Sequence, residues 1–207
     1  YTHLAMPGRV IHGAGRISEL PEEAEALGAK RIMFCCTKSR LPEVENIATS
    51  LGERFAGICD KAKIFVPLAA VELGREQARA TEADCLVSFG GGTAVGLAKA
   101  IALEQGQPII SIVTTYSGSE TTALQGIIGH DGVRTNYRDM RMLPRSLIYD
   151  PELTLDVPLG VSVASGFNSI SHAVSSYLGK DANPVANMYS EHGIRTMSAA
   201  LVQLAEN

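Results

Sequence analysis

The chain has 207 residues, of which 45% are hydrophobic and 19% charged, and its formal net charge is −4. This composition is typical of a soluble globular protein and excludes a disordered chain. There is no basic cluster, which argues against a nucleic-acid partner, and no apolar run approaches the roughly 20 residues that a membrane helix needs.

The first half of the chain is predicted to alternate strands and helices. Residues 3–15 predict an edge strand that ends in a tight turn. Short apolar runs predict covered, parallel strands, and segments with apolar residues at helical spacing follow them. The predicted strands are residues 31–36, 63–67, 85–89 and 108–113, and the predicted helices are residues 41–55, 69–83 and 92–103. This order predicts an α/β fold, a Rossmann-like doubly wound parallel sheet.

After residue 113 the pattern changes. Residues 114–123, TTYSGSETTA, form a polar loop that is too long for a simple connection and is therefore a functional candidate. A hairpin is predicted over residues 124–138, turning at Asp131-Gly132, and residues 146–150 predict a last strand. Residues 151–162 are expected to be irregular, and helical periodicity begins at Gly166.

The last predicted helix carries an apolar stripe of Ile194, Met197, Leu201 and Leu204. This stripe needs a partner, and little chain remains to provide one. We therefore divide the chain into a dinucleotide-binding domain of residues 1–158 and the start of an all-α domain in residues 159–207.

The four cysteines, Cys35, Cys36, Cys59 and Cys85, show no CxxC spacing. Three of them lie in or beside apolar strand-like runs. This placement predicts reduced, buried thiols in a cytoplasmic protein rather than disulfides or a metal site.

A run of three glycines joins one predicted strand to the next helix. Gly91, Gly92 and Thr93 would present backbone N–H groups at a positive helix end, where a pyrophosphate can bind. The spacing does not fit the Rossmann G-x-G-x-x-G fingerprint, and no Gly-Lys-Ser/Thr of a Walker loop follows. Tight packing alone also explains such glycines, but the polar loop 114–123 follows the next strand, and two such loops form a ligand crevice in open α/β sheets. The Thr and Ser of that loop are equally compatible with hydrogen bonds to their own backbone.

Two further groups of polar residues are candidates for substrate chemistry. Asn168 and His172 are four residues apart and share one face of a helix, where a neutral His and an amide can polarise a carbonyl or relay a proton. A histidine hydrogen-bonded at a domain interface is the alternative. Arg134 and its neighbours Arg138 and Arg141 are either solvated charges or binders of an acidic substrate.

The chain resembles the iron-containing alcohol dehydrogenase superfamily, with its dehydroquinate synthase-like fold, and within it the maleylacetate reductases. The resemblance rests on five segments: RVIHGAG, FGGGTAVGLAKAIAL, TTYSGSETT, LPRSLIYDPELTLDVP and SGFNSISHAV…DANPVANMYSEHGIR. Gly96 and Tyr116 point to the reductase branch. Metal-dependent alcohol dehydrogenases usually carry Asp where this chain has Gly96, and they have a longer loop in place of the TTYSGSE segment that contains Tyr116. Ser175 and Phe65 depart from the common pattern. Family members continue through a larger helical domain, so we expect either that this chain is a fragment or that the rest of the helical domain lies outside this sequence.

The resemblance also implies roles for individual residues. Arg134 corresponds to a position usually held by Lys beside the cofactor, and Asn168 and His172 correspond to the first two metal ligands, Asp and His, of the alcohol dehydrogenases. The maleylacetate reductases also have Asn there, so no metal is expected. The implied cofactor contacts are Thr37 near the adenosine ribose, Gly91, Gly92 and Thr93 at the pyrophosphate, and Thr114, Thr115, Ser119 and Thr122 near the nicotinamide.

The activity that the resemblance implies is the reduction of maleylacetate to 3-oxoadipate with NADH or NADPH in the degradation of aromatic compounds, and a related keto acid is the alternative substrate. His172, Asn168 and Arg134 are the expected catalytic residues, and a homodimer is the expected assembly. Two alternatives stay open: a metal-dependent alcohol dehydrogenase, and an inactive nucleotide-binding fragment.

Overall fold

The computed structural model describes residues 8–206, so the start of the predicted strand at residues 3–15 lies outside the described residues. The described chain divides into two compact units. The α/β unit contains residues 8–114 and 119–155, and the helical unit contains residues 115–118 and 156–206. No helix of the described residues combines the length and the hydropathy that crossing a bilayer requires.

A six-stranded, all-parallel sheet forms the centre of the α/β unit. Its strands are β1 (Arg9–His12), β2 (Ile32–Cys35), β3 (Phe55–Cys59), β4 (Cys85–Gly90), β5 (Ile109–Val113) and β8 (Ser146–Tyr149), in the spatial order β1-β8-β5-β4-β2-β3. Strand β1 is an edge strand, as predicted. The predicted α/β, doubly wound fold is confirmed.

Helices cover both faces of the sheet, because alternate residues of each buried strand point to opposite sides. The helices of this unit are α1 (Leu20–Ala26), α2 (Leu41–Ala48), α3 (Leu68–Ala80) and α4 (Gly92–Gln105). On β2, Met33 packs into a core with residues of α3 and α4, whereas Phe34 packs into a second core with residues of α1 and α2. Two hydrophobic cores therefore sandwich one sheet.

The predicted hairpin is present as β6 (Leu124–Ile128) and β7 (Arg134–Arg138), which pair antiparallel in a separate two-stranded sheet. Its turn contains Gly132 at φ +79°, a left-handed conformation that glycine adopts without steric cost. Strand β6 packs against α4.

One predicted strand is wrong. Residues 63–67 form no strand; the third strand of the chain is β3, eight residues earlier. Phe65 and Val66 adopt φ values of +65° and +50°, which are incompatible with an extended strand, and Ile64 and Phe65 are exposed. The apolar run misled the prediction because it lies in a surface loop.

Asp150, which directly follows β8, links that end of the sheet to the turn after β1. Its carboxylate accepts hydrogen bonds from the N–H groups of Gly15, at 3.2 Å, and Ile17, at 3.0 Å. The side chain is almost fully buried, so these bonds replace the water that a buried carboxylate loses. The turn after β1 is thus anchored by a residue from the other end of the unit's sequence.

The helical unit contains two long helices, α5 (Leu159–Tyr177) and α6 (Pro184–Glu206). Helix α5 begins seven residues before the predicted start at Gly166, since Pro158 provides a helix entry immediately before it. The α6 stripe has a partner in α5 for part of its length. A Cβ added at Gly166 would lie 2.8 Å from Leu201 and 3.2 Å from Met197, whereas Leu204 is exposed.

All four cysteines are free and buried, as predicted. Burial raises the pKa of Cys36 and of Cys85 to about 12, and it raises the pKa of Cys35 and of Cys59 as well. In an unfolded chain these thiols titrate near pH 8.5. The stability that they contribute is therefore present below about pH 8.5 and is lost as the pH rises toward the folded pKa values.

We expect the free energy of unfolding to fall between about pH 8.5 and about pH 10, with each thiol contributing up to about 1.4 kcal/mol per pH unit. Urea unfolding at a series of pH values measures this slope. Cys85→Ala provides the control, because it removes one of the titrating groups and should make the slope shallower. A slope that is unchanged in Cys85→Ala would contradict the assignment.

Candidate functional site

The glycine turn lies between β4 and α4, at the carboxyl edge of the sheet. Gly90 ends β4 at φ +137°, and a Cβ there would lie 3.2 Å from the Ala94 Cβ, so glycine is required. Gly91 precedes the helix without a side-chain cap, and its carbonyl accepts hydrogen bonds from the N–H groups of Ala94 and Val95. The first N–H groups of a helix have no intrahelical acceptor, so those of Gly92 and Thr93 can bind an anion.

The position of this turn in the sheet favours ligand binding. From β2 the chain moves outward to β3, whereas from β4 it moves through β5 to β8 in the opposite direction. The direction of winding therefore reverses between β2 and β4, and open α/β sheets bind ligands at such a switch point. Thr37 lies just beyond the carboxyl end of β2, where its hydroxyl is 3.0 Å from that of Ser39. The structure thus places Thr37 and the glycine turn at the ends of adjacent strands.

The polar loop begins beside the glycine turn. The Thr114 N–H donates to the carbonyl of Gly90 at 3.2 Å, and Thr114 is buried. Thr115 belongs to the segment 115–118 of the helical unit, in which the Tyr116 N–H donates to the Ser165 hydroxyl at 2.7 Å. The chain returns to the α/β unit at Ser119.

A buried lysine that the sequence analysis missed holds the second half of this loop. The Lys99 ammonium donates to the carbonyl oxygen of Ser119 at 2.7 Å and to the hydroxyl of Thr122 at 3.0 Å. Nearby, the Tyr149 hydroxyl donates to the carboxylate of Glu120 at 2.8 Å. We call these five residues, Lys99, Ser119, Glu120, Thr122 and Tyr149, the loop anchor.

Burial shifts the titration of two members of the loop anchor. It lowers the pKa of Lys99 to about 8, although the charge of Glu120 acts in the opposite direction. Burial, the Glu120 charge and the hydrogen bond raise the pKa of Tyr149. Lys99 was detectable in the sequence, because it is the one charged residue in the apolar run TAVGLAKAIAL, and a charge at a buried position needs a partner.

Arg134 lies at the start of β7, outside the switch point. Its guanidinium crosses the bare backbone of Gly126 on β6, since a Cβ at Gly126 would come within 2.7 Å of the Arg134 Nη2. Arg134 is exposed. Arg141, by contrast, forms an ion pair with Asp139 at 2.8 Å, so it is occupied by a local partner.

Asn168 and His172 lie one turn apart on α5 of the helical unit, and both are exposed. The predicted shared face is therefore present, and both side chains are accessible to solvent. Within residues 8–206, no three His, Cys, Asp or Glu side chains converge in a way that could hold a metal ion. The pair itself consists of one imidazole and one neutral amide.

Gly96 on α4 leaves no room for a side chain. A Cβ added there would lie 2.7 Å from Val66 and 3.0 Å from the Gln125 side chain. We therefore expect Gly96→Ala to lower the free energy of unfolding by about 1–3 kcal/mol, measured by urea unfolding. The control is Gly193→Ala on α6, where nothing lies within 4 Å and alanine should stabilise the helix. Equal stability of the two variants would contradict the close packing.

Comparison with known proteins agrees with this architecture. The sequence profile of the family described as "Iron-containing alcohol dehydrogenase" matches residues 7–151. The maleylacetate reductase of Burkholderia cepacia is 44% identical over 199 residues, which are 96% of this chain and 56% of that protein. The chain thus spans little more than half the length of the curated relative that it matches.

Two solved structures share the fold at comparable identity. The putative alcohol dehydrogenase of Ralstonia eutropha JMP134 superimposes with a TM-score of 0.96 and 42% identity, over 100% of this chain and 58% of that one. The maleylacetate reductase of Agrobacterium tumefaciens superimposes with a TM-score of 0.93 and 38% identity, over 97% and 57% of the two chains.

Proposed function

Because this chain belongs to the iron-containing alcohol dehydrogenase family, we propose that its protein reduces maleylacetate to 3-oxoadipate, or a related keto acid to its own saturated product, with NADH or NADPH. The observation that carries this proposal is the uncapped glycine turn at the switch point of the sheet. The similarity to maleylacetate reductases over almost the whole chain supports the choice of substrate.

The described residues fit a dinucleotide. In the proposal, the N–H groups of Gly92 and Thr93, with Gly91 beside them, bind the pyrophosphate at the positive end of α4. Thr37, at the end of the adjacent strand, lies on the adenosine side. Thr114, Thr115, Ser119 and Thr122 contact the nicotinamide side, where the loop anchor restrains Ser119 and Thr122.

When bound, the reduced nicotinamide supplies the hydride that adds to the carbon–carbon double bond of the substrate. His172 polarises the conjugated carbonyl or delivers the proton that completes the reduction. Asn168, one helical turn earlier, orients the substrate or the imidazole by hydrogen bonding. Arg134 carries a fixed positive charge that suits a substrate carboxylate.

We further propose that the reaction needs no resident metal. A catalytic divalent ion requires several convergent ligands, normally with an anionic one among them. Position 168 offers a neutral amide next to His172, which is a weak donor set for iron or zinc. Hydrogen-bond polarisation of the conjugated carbonyl is sufficient in principle for hydride transfer.

The proposal also covers the domain boundaries, the assembly and the cellular location of the protein. Residues 1–158 form the dinucleotide-binding domain, and residues 159–207 form the first helices of an α-helical domain. The protein acts in the cytoplasm as a homodimer on a small molecule, with neither nucleic acid nor membrane as a partner. The free, buried thiols are consistent with a reducing compartment.

The proposal is tested with protein expressed from the complete reading frame. Oxidation of NADH and of NADPH is followed by the loss of absorbance of the reduced nicotinamide, with maleylacetate as the substrate, before and after treatment with a chelator. We expect maleylacetate-dependent oxidation that survives chelation, with the metal content checked by elemental analysis. Activity that is lost with the metal and restored by zinc or iron would favour the metal-dependent alcohol dehydrogenase, and nucleotide binding without turnover would favour an inactive fragment.

A further inference from the structure

The hydrogen bonds of the loop anchor determine whether the Thr122 hydroxyl acts as a donor or as an acceptor toward a ligand. The Thr122 hydroxyl donates its single proton to the carbonyl oxygen of Ser119, at 3.1 Å, and it accepts a hydrogen bond from the Lys99 ammonium at 3.0 Å. A hydroxyl has one donor hydrogen and two acceptor lone pairs. In this arrangement, Thr122 has one lone pair left, so toward a ligand it acts as an acceptor.

The Lys99 ammonium also fixes the backbone of this turn. It donates to the Ser119 carbonyl at 2.7 Å, so one charged group bridges the first residue of the turn and the residue three positions later. The side chain is 0% exposed. Hydrogen bonds from a charged donor are the strong ones, and they compensate for the loss of hydration of a buried ammonium.

From this geometry we propose that Lys99 is a positioning residue for the cofactor, holding Ser119 and Thr122 in the conformation that presents the Thr122 hydroxyl as an acceptor for an N–H donor of the bound dinucleotide. This inference rests on the proposed function, since it needs the loop to contact the nicotinamide side. Glu120 and Tyr149 complete the anchor by placing a hydrogen-bonded carboxylate near the ammonium. Lys99 itself touches neither cofactor nor substrate in this proposal.

The consequence is that cofactor affinity depends on the charge of Lys99. Burial lowers the pKa of Lys99 to about 8. The charged group that acts on the Lys99 ammonium is the Glu120 carboxylate, which in turn accepts a hydrogen bond from the Tyr149 phenol. The pKa of Tyr149 is raised by burial and by Glu120, so this phenol stays protonated throughout the range of interest. Below about pH 8 the ammonium is charged, and above it the charge-assisted bonds to the loop weaken.

The test compares variants of the complete protein by NADH titration, with fluorescence as the signal. Lys99→Met keeps the unbranched chain as far as the position of Cε but removes the ammonium and its donors, and it should raise the Kd for NADH about tenfold or more at about pH 7. Lys99→Arg keeps a permanent charge and should restore part of the affinity. Ile101→Ala on the same helix is the matched control, because it removes a buried side chain that packs against Gly74 of α3, and its Kd should stay within about twofold of the wild-type value.

Two further measurements separate positioning from general destabilisation. The wild-type Kd should rise from about pH 7 to about pH 9.5, while that of Lys99→Arg should stay flat, because guanidinium does not lose its proton in this range. In the cofactor-free protein, hydrogen exchange of a peptide spanning residues 115–123 should be faster in Lys99→Met but not in Ile101→Ala.

The results of these experiments separate the positioning role of Lys99 from the proposed reductase function on which it rests. Equal NADH affinities for the wild type and Lys99→Met, or unchanged exchange in residues 115–123, would overturn the role of Lys99 and leave the proposed function standing. Failure of the wild type to bind either NADH or NADPH would overturn both.

Discussion

Gly92→Val is expected to weaken NADH binding by about 100-fold or more while leaving the fold unchanged. Gly92 is the first residue of α4, and its backbone is not in the left-handed region, so a valine can adopt the same conformation. Its side chain would occupy the space in front of the helix N-terminus, where the proposal places the pyrophosphate. Loss of a charge-assisted set of contacts costs a few kcal/mol, which corresponds to this change in Kd.

The measurement is a fluorescence titration of NADH, with circular dichroism to verify the fold. Gly193→Val is the matched control, because it places the same side chain on another helix, α6, in open space. Its affinity should equal that of the wild type. Wild-type affinity in Gly92→Val would remove the pyrophosphate from the glycine turn and with it the basis of the cofactor assignment.

His172→Ala should lower kcat for maleylacetate reduction by about 10²–10⁴-fold, the usual contribution of a general acid or base. The side chain is exposed on α5, so its loss should not change stability by more than about 0.5 kcal/mol. Affinity for NADH should also be unchanged, because the residues proposed to hold the cofactor lie elsewhere, most of them in the α/β unit. Steady-state kinetics and NADH titration on the same preparation separate the two effects.

Ser171→Ala controls for a change on the neighbouring exposed position of α5, and it should retain wild-type kcat. Asn168→Ala should show a smaller loss than His172→Ala, since it removes an orienting hydrogen bond rather than the proton carrier. A His172→Ala enzyme with full kcat would remove this residue from the mechanism.

Most of the sheet could be predicted from the sequence, because its buried strands are continuous apolar runs between turn residues. The predictions at residues 31–36, 85–89 and 108–113 overlap β2, β4 and β5 closely. The strand predicted at residues 63–67 failed because the same apolar composition occurs in an exposed loop with positive φ. The actual strand β3 was hidden, since its residues Phe55 to Ile58 are incompletely buried at the sheet edge.

The candidate site was predictable only where its residues have a local signature. Three glycines between a strand and a helix are such a signature, and they lie where the sequence places them. In the loop anchor only Lys99 has such a signature, as the one charged residue of an apolar run; its partners could not be predicted, because Lys99 and Glu120 are 21 positions apart in the sequence and meet only when α4 packs against the loop. The contact of Leu201 and Met197 with Gly166 could not be predicted for the same reason, since these residues are more than 30 positions apart in the sequence.

The pairing of β1 with β8 has a consequence for how the protein folds. Among residues 8–206, strand β1 has no other neighbour in the sheet, and it pairs Arg9 with Ser146. At a synthesis rate of about 5–20 residues per second, the first strand waits on the order of 10 s before its neighbour leaves the ribosome. The closure of such a long chain segment is entropically slow. We therefore expect the edge of the sheet and the turn that Asp150 anchors to form after the rest of the sheet, which leaves the β1 edge of the nascent chain unpaired until then.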